Sequence, residues 1–374
     1  MTQGTAWRPD RLGRLSTACA VALLVTVGTT GCSQDSAEDR PARGIVVNLG
    51  GEVALLNDLD AKPEIVGKRP DGTEALDAYR LTDPRQLRSG EIVGIHDGGA
   101  VSLTPEHPDR SVLLGEATAW FPAADGKKLW TVTEGSTAAE CGGQELPRTV
   151  RAKFTVTKRE TTGRPSRQIV PLSCGIEPVA ETAQGILAHQ TTGDLTAGKG
   201  AKAKTSVVLL NKDGTAVARV LAEAATALAS SANRVVWRPD DCSASTCVKT
   251  YDAQENKTKD APDCEGGNPI GAGVIDPSGR WYATAVGAAG GSRVAVLDLD
   301  RNSCRDLGKF PSLLDSDSDL DKTLAAAWSG SNLILLDQRS GELATLNAPS
   351  GRLERRDKAM SFTGGAQIWG ARNT

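Results

Sequence analysis

The chain has 374 residues and a formal net charge of −3, a length that suits one large all-β ring or two smaller domains. Near-balanced charge excludes the strongly basic footprint of a nucleic-acid binder. Aromatic residues are only 4%, against 40 Gly and 18 Pro, and short Val/Leu/Ile/Ala runs broken by Gly, Asp, Asn and Ser read as strands and tight turns rather than helices.

The chain opens on an address. Arg8, Arg11 and Arg14 form a positive region, Leu15–Thr30 is mostly apolar, and Gly31-Cys32 follows. That order matches a secretory signal. The apolar stretch falls short of the about 20 residues a membrane span needs. A small residue followed directly by Cys resembles the lipobox of bacterial lipoproteins. The resemblance implies cleavage before Cys32, a diacylglycerol on its sulfur and an acylated new N-terminus. Thr29 departs from the Leu or Val that the family favours there. Residues 1–31 are thus read as a lipoprotein signal peptide. Residues 32–43 (SQDSAEDRPAR after the Cys) are read as a polar tether, and residues 44–374 as the folded domain. The expected location is the outer side of the cell membrane, held by the Cys32 lipid.

Six cysteines follow the tether: Cys141, Cys174, Cys242, Cys247, Cys264 and Cys304. An even number in an exported domain reads as a disulfide framework, with fifteen possible pairings. Cys242-x4-Cys247 is loosely compatible with zinc, but no His lies nearby and no tight Cys-x2-Cys occurs.

The domain repeats itself. In chain order, a turn followed by an apolar run occurs at Ser89-Gly90, Asp125-Gly126, Gln184-Gly185, Ala232-Asn233, Ser278-Gly279, Gly330-Ser331 and Gly364-Gly365. The spacing is roughly 35 to 60 residues, in the range of propeller blades. The least decorated unit is Val274–Gly308, which reads as four antiparallel strands. Its second half, Arg293–Gly308, aligns without gaps on Glu52–Gly67. Gly44–Gly67 supplies only three strands and Met360–Ala371 one or two more, so the two ends are expected to complete one blade together.

This pattern resembles a β-propeller of the WD-repeat, YVTN or TolB-like kind, over about Gly44 to Thr374. No Trp-Asp or Tyr-Val-Thr-Asn motif is present. The expected fold is an all-β propeller of seven four-stranded blades, with six or eight also compatible and two stacked β-sandwiches as the competing architecture. Together with the lipobox, the resemblance implies a high-GC Gram-positive, actinobacterial origin.

In propellers the second-to-third and fourth-to-next-first connections share one face. Here the long ones are Glu134–Pro147, Thr191–Lys204, Arg238–Cys247, Gly287–Ser292, Asp263–Ile270 and Phe310–Lys322. They would gather on one face of four consecutive blades, as functional loops do on a rigid scaffold. On that implied geometry Cys141 pairs with Cys174, and Cys242 with Cys247. Cys264 is left for Cys304, an awkward match because Cys304 starts an outer strand near the other face. Cys247 with Cys264 and Cys242 with Cys304 is the rival.

Candidate chemistry is sparse. His96 stands at a strand end, His107 in a turn and His189 on a strand, with no metal-ligand spacing among them. Asp97, next to His96, would point to the opposite strand face. There is no P-loop and no G-x-S-x-G elbow, so no catalytic, cofactor-binding or metal residue is assigned. Asp315, Asp317, Asp319 and Asp321 alternate as in a Ca²⁺ loop, but Leu320 and Ala326 stand where an EF-hand needs Gly and Glu. Lys199, Lys202 and Lys204 form a small basic loop. Trp120, Trp130, Trp237, Trp281, Trp328 and Trp369 fall on predicted strands as blade-packing aromatics. The function expected is a lipid-anchored, extracytoplasmic protein-binding or scaffolding module without catalysis. The alternative is a propeller enzyme of lactonase, glycosidase or quinone-dependent dehydrogenase type, with a carboxylate site at the central channel.

Overall fold

The computed structural model describes residues 44–49, 52–67, 81–105, 107–135, 141, 152–192, 204–211, 213–242, 247–264, 268–269, 273–288, 291–308, 325–337, 340–361 and 366–371. The signal peptide, Cys32 and the tether lie outside them. So do Asp315–Asp321, Lys199, Lys202, Gly364 and Gly365.

Among the described residues every regular element is a β-strand, and the strands form seven antiparallel sheets. Taken from the axis outward, blade I is Gln367–Ala371, Ile45–Asn48, Val53–Leu56 and Glu64–Gly67. Blade II is Thr82–Gln86, Ile92–His96, Gly99–Thr104 and His107–Glu116. Blade III is Ala119–Pro122, Lys128–Gly135, Lys153–Glu160 and Pro165–Pro171. Blade IV is Ile176–Thr182, Gly185–Thr192, Lys204–Leu210 and Val217–Ala222. Blade V is Ala225–Ser230, Arg234–Pro239, Lys249–Asp252 and Lys257–Asp260. Blade VI has a split inner strand, Asn268–Pro269 and Val274–Ile275, then Trp281–Ala288, Gly291–Asp298 and Ser303–Asp306. Blade VII is Ala326–Ser329, Asn332–Leu336, Leu343–Asn347 and Leu353–Arg355. This is a seven-bladed β-propeller, not a pair of sandwiches.

Packing follows from the two-residue period of a strand, which sends successive side chains to opposite faces. Val46 joins the core between blades I and II, and its neighbour Val47 joins the core between VII and I. Leu335 and Leu336 divide in the same way between the VI–VII and VII–I seams. Middle strands are therefore buried on both faces, and Asn332–Leu336 is buried at every position. The buried apolar residues fall into seven clusters, one per seam. No blade could bury both faces alone, so closing the ring is part of folding.

Closure joins the chain ends. Gln367–Ala371 pairs antiparallel with Ile45–Asn48, Asn48 opposite Gln367 and Ile45 opposite Ala371. Three strands of the closing blade come from the N-terminal side and one from the C-terminal side. The closing strand is also tied to blade II. Gln367 Nε2 donates to the Leu81 carbonyl at 2.8 Å, and the Ala371 N–H donates to Gln86 Oε1 at 3.0 Å. Gly370 has φ +149°, and a Cβ there would lie 2.3 Å from Gln86 Oε1.

Turn chemistry repeats with the blades. The third-to-fourth turn opens on Asp252, Asp298 or Asn347, whose Oδ1 accepts backbone N–H groups two or three residues on. Four residues after each stands Asn256, Asn302 or Gly351, all at positive φ. Asn and Gly tolerate that left-handed backbone.

Four expectations need correction. The Gly364-Gly365 doublet does not open a first-to-second hairpin, because the following run is the innermost strand of blade I and its partner lies at the other chain end. Gly287–Ser292 is not a long connection. Gly287 pairs with Ser292 and Ala288 with Gly291, so ladder pairing continues to the hairpin tip. Asp263–Ile270 is not all connection either, since Asn268 and Pro269 already pair with Gly287 and Val286. His107 does not sit in a turn: it starts the ten-residue outer strand of blade II.

Candidate functional site

In blades II to VII the inner strand leads into a short first-to-second turn, and neighbouring turns bond to one another at one end of the ring. The Arg88 N–H donates to the Gly126 carbonyl at 2.9 Å, joining blades II and III, and the Ala183 N–H donates to the Ala232 carbonyl at 2.8 Å, joining IV and V. Between III and IV, Glu181 accepts the Ala124 N–H at 2.8 Å and pairs with Lys158 Nζ at 3.1 Å. One contact crosses the ring. Arg88 Nη2 donates to the Pro277 carbonyl at 2.7 Å, linking turns of blades II and VI, as far apart as two blades of a seven-blade ring can be. The turn-face mouth of the central channel is therefore bridged.

Among the described residues the inner strands carry only four charged groups, Asp83, Arg85, Glu177 and Glu181, of which Glu181 lies at the turn end. On blade II the Arg85 guanidinium forks onto the Asp83 carboxylate at 3.0 and 2.8 Å. Both side chains are 46% exposed, which limits such a pair to well under about 1 kcal/mol. Asp83 has φ 52°, and its carbonyl accepts the Trp120 indole N–H at 3.0 Å. Two blades further on stand Glu177 on blade IV, exposed, and His189 beside it on the next strand. His189 Nε2 accepts the Ala227 N–H of blade V at 3.1 Å, and Asp240 nearby accepts the Thr226 hydroxyl at 3.3 Å. Burial pushes His189 below the ordinary imidazole range, against the opposing pull of Glu177 and Asp240.

The other histidines do not join this group. His96 and Asp97, expected on opposite faces, approach to 3.4 Å because Asp97 leaves the strand at φ 47°. No group of three His, Cys, Asp or Glu suited to a metal ion occurs among the described residues. The six tryptophans among the described residues lie on inner or second strands, none more than 8% exposed, which leaves no face of these indoles for a ligand. Trp328, like Trp120, donates its indole N–H to a carbonyl of the preceding blade, here Val274 at 3.1 Å.

The disulfides mark the face with the longer connections. Cys141, between the second and third strands of blade III, is bonded to Cys174, on the way from blade III to IV, with Cα atoms 5.7 Å apart. Cys242 and Cys247, at 5.5 Å, close the second-to-third connection of blade V. Cys264, just past the outer strand of blade V, is bonded to Cys304 on the outer strand of blade VI, at 5.3 Å. That last pair looked awkward because Cys304 starts a strand on the turn face. The strand has only four residues, about 13 Å from one face to the other, so a cysteine at its second position is within reach. Of the long connections themselves, the described residues include Glu134, Gly135 and Cys141, Thr191, Thr192 and Lys204, and Arg238–Cys242 with Cys247. Trp237, Leu221, Ala222 and Lys249 line a shallow groove of about 410 Å³ on this face, between blades IV and V.

No family model matches the chain, and no curated protein matches it in sequence. Solved structures do resemble it in shape. An acylaminoacyl peptidase from Pyrococcus horikoshii superposes with a TM-score of 0.56 at 12% identity, over 85% of this chain and 51% of that one. The β-propeller domain of the Trilobed protease from Pyrococcus furiosus, described as having an open velcro topology, gives 0.52 at 11%, over 84% of this chain and 93% of that one. TolB from Acinetobacter baumannii gives only 0.42 at 12%, over 86% and 80%. The chain spans about half the length of the peptidases it matches. At these identities the likeness is one of fold, and the fold is a seven-bladed β-propeller closed by pairing of its terminal strands.

Proposed function

We propose that this chain is an extracytoplasmic binding or scaffolding propeller, anchored through a lipid on Cys32, that takes a protein partner on the face of blades III to VI bearing the longer connections. The observation that supports it is the placement of the disulfides. Cys141–Cys174, Cys242–Cys247 and Cys264 all lie in connections of that face. Cross-linked connections on a rigid ring are pre-organised, which reduces the ordering cost of binding. The opposite face is built from tight turns that bond to one another and bridge the channel.

The test has two arms. Mass spectrometry of the mature N-terminus is expected to find a diacylglycerol on Cys32, and an unmodified Cys32 would remove the anchor while leaving the partner face untouched. Cross-linking in membrane extracts is expected to yield a protein that is lost when 142–147 and 193–203 are shortened, Cys141 being kept. Identical captures by the intact and shortened chains would overturn the partner face.

A further inference from the structure

We propose that His189 is a pH-sensitive latch across the seam between blades IV and V. Its Nε2 accepts the Ala227 N–H at 3.1 Å. A backbone amide can only donate, so Nε2 holds a lone pair and the ring proton sits on Nδ1. Ala227 lies where the register between the first two strands of blade V shifts, so the imidazole serves an amide at an irregular point of the ladder. Protonating Nε2 turns the acceptor into a donor facing another donor. The inter-blade bond is then lost, and a partly buried amide is left unpaired.

The surroundings decide when this happens. On the inner strand of its own blade, His189 stands opposite Glu177, and on the third strand opposite Val207, which carries no charge. Blade V brings Thr226, paired with Arg238, and beyond them Asp240, which accepts the Thr226 hydroxyl. Glu177 and Asp240 favour the cation, but burial opposes it and prevails. The folded chain therefore takes up this proton at lower pH than the unfolded chain does. The stabilisation is whole above the ordinary imidazole range and is lost as pH falls toward the folded value. The same seam runs to Asp240, two residues before the Cys242–Cys247 bond, so acidification loosens the base of that connection while the disulfides stay intact.

The experiment is hydrogen exchange on the full chain at pH 7.5 and 5.0, corrected for intrinsic rates, with His189→Gln as comparison because its amide oxygen accepts but does not titrate. Protection of peptides covering Ala227 is expected to fall roughly tenfold in the wild type at pH 5.0 and to stay nearly level in the variant. Equal changes in both chains, or none in the wild type, would overturn the latch. NMR titration of the three histidines in the unmutated chain supplies a second readout. His189 is expected to titrate below the ordinary imidazole range, and a midpoint within that range would also overturn it.

Discussion

Replacing Trp369 with Ala is expected to lower the unfolding free energy by about 4 kcal/mol, the scale of truncating a fully buried tryptophan. The indole is 0% exposed. It lies on the closing strand and packs in the I–II seam with Val46, Leu81, Ile92, Val101 and Leu103. Two contributions add. The seam loses a large apolar side chain and gains a cavity, and the strand that joins the chain ends loses its anchor against blade II. What remains is two hydrogen bonds from Gln367 and Ala371 to Leu81 and Gln86, together worth about 2 kcal/mol. Urea denaturation reads the loss as a lower midpoint at unchanged slope, and hydrogen exchange should localise it to residues 366–371 and 45–48. A loss below about 1 kcal/mol would mean that the closing strand is held by its backbone and by the packing of Ile368 and Ala371 in the VII–I seam, not by the indole.

Removing the Cys264–Cys304 bond by Cys→Ser at both positions is expected to destabilise the chain by about 4 kcal/mol on the loop-entropy account. The bond closes a separation of 40 residues and joins two blades. The same change at Cys242 and Cys247, separated by 5 residues, is expected to lose only about 2 kcal/mol. The two differ in kind as well. The long closure ties the outer strand of blade VI to the connection leaving blade V, whereas the short one stiffens a single connection. Thermal denaturation of the two double variants should therefore separate clearly. Equal shifts would show that loop length does not govern these bonds.

Much of the ring was legible because its rules are local. Continuous apolar runs such as NLILL and VALL mark strands buried on both faces, and the gapless match of Arg293–Gly308 to Glu52–Gly67 is a match of third and fourth strands in blades VI and I. The three-plus-one closure could be inferred from strands missing at one end and left over at the other. A further signal went unread: the Asp or Asn that opens a turn, followed four residues later by Asn or Gly, as in Asp252 and Asn256 or Asp298 and Asn302. Errors arose where local chemistry is ambiguous. A Gly-Gly doublet looks alike whether it joins two strands of a blade or precedes an inner strand. The glycine-rich run at Gly287–Ser292 has the composition of a loop, but two well-paired strands extend their ladder through it.

The candidate site was scarcely legible. His189 read as an ordinary strand histidine, because its partner Ala227 is 38 residues away on another blade. Nothing in the sequence singles out Arg88, whose guanidinium reaches a carbonyl 189 residues along the chain. Strand period and turn residues depend on interactions over a few residues, so the sequence alone suffices to determine them, whereas the choice of seven blades over six or eight came from the sheets themselves. Which seam each side chain enters, which cysteines meet, how the turn-face mouth is bridged and which amide the His189 imidazole accepts depend on closing the ring. Closure brings together groups whose spacing along the chain carries no trace of their contact.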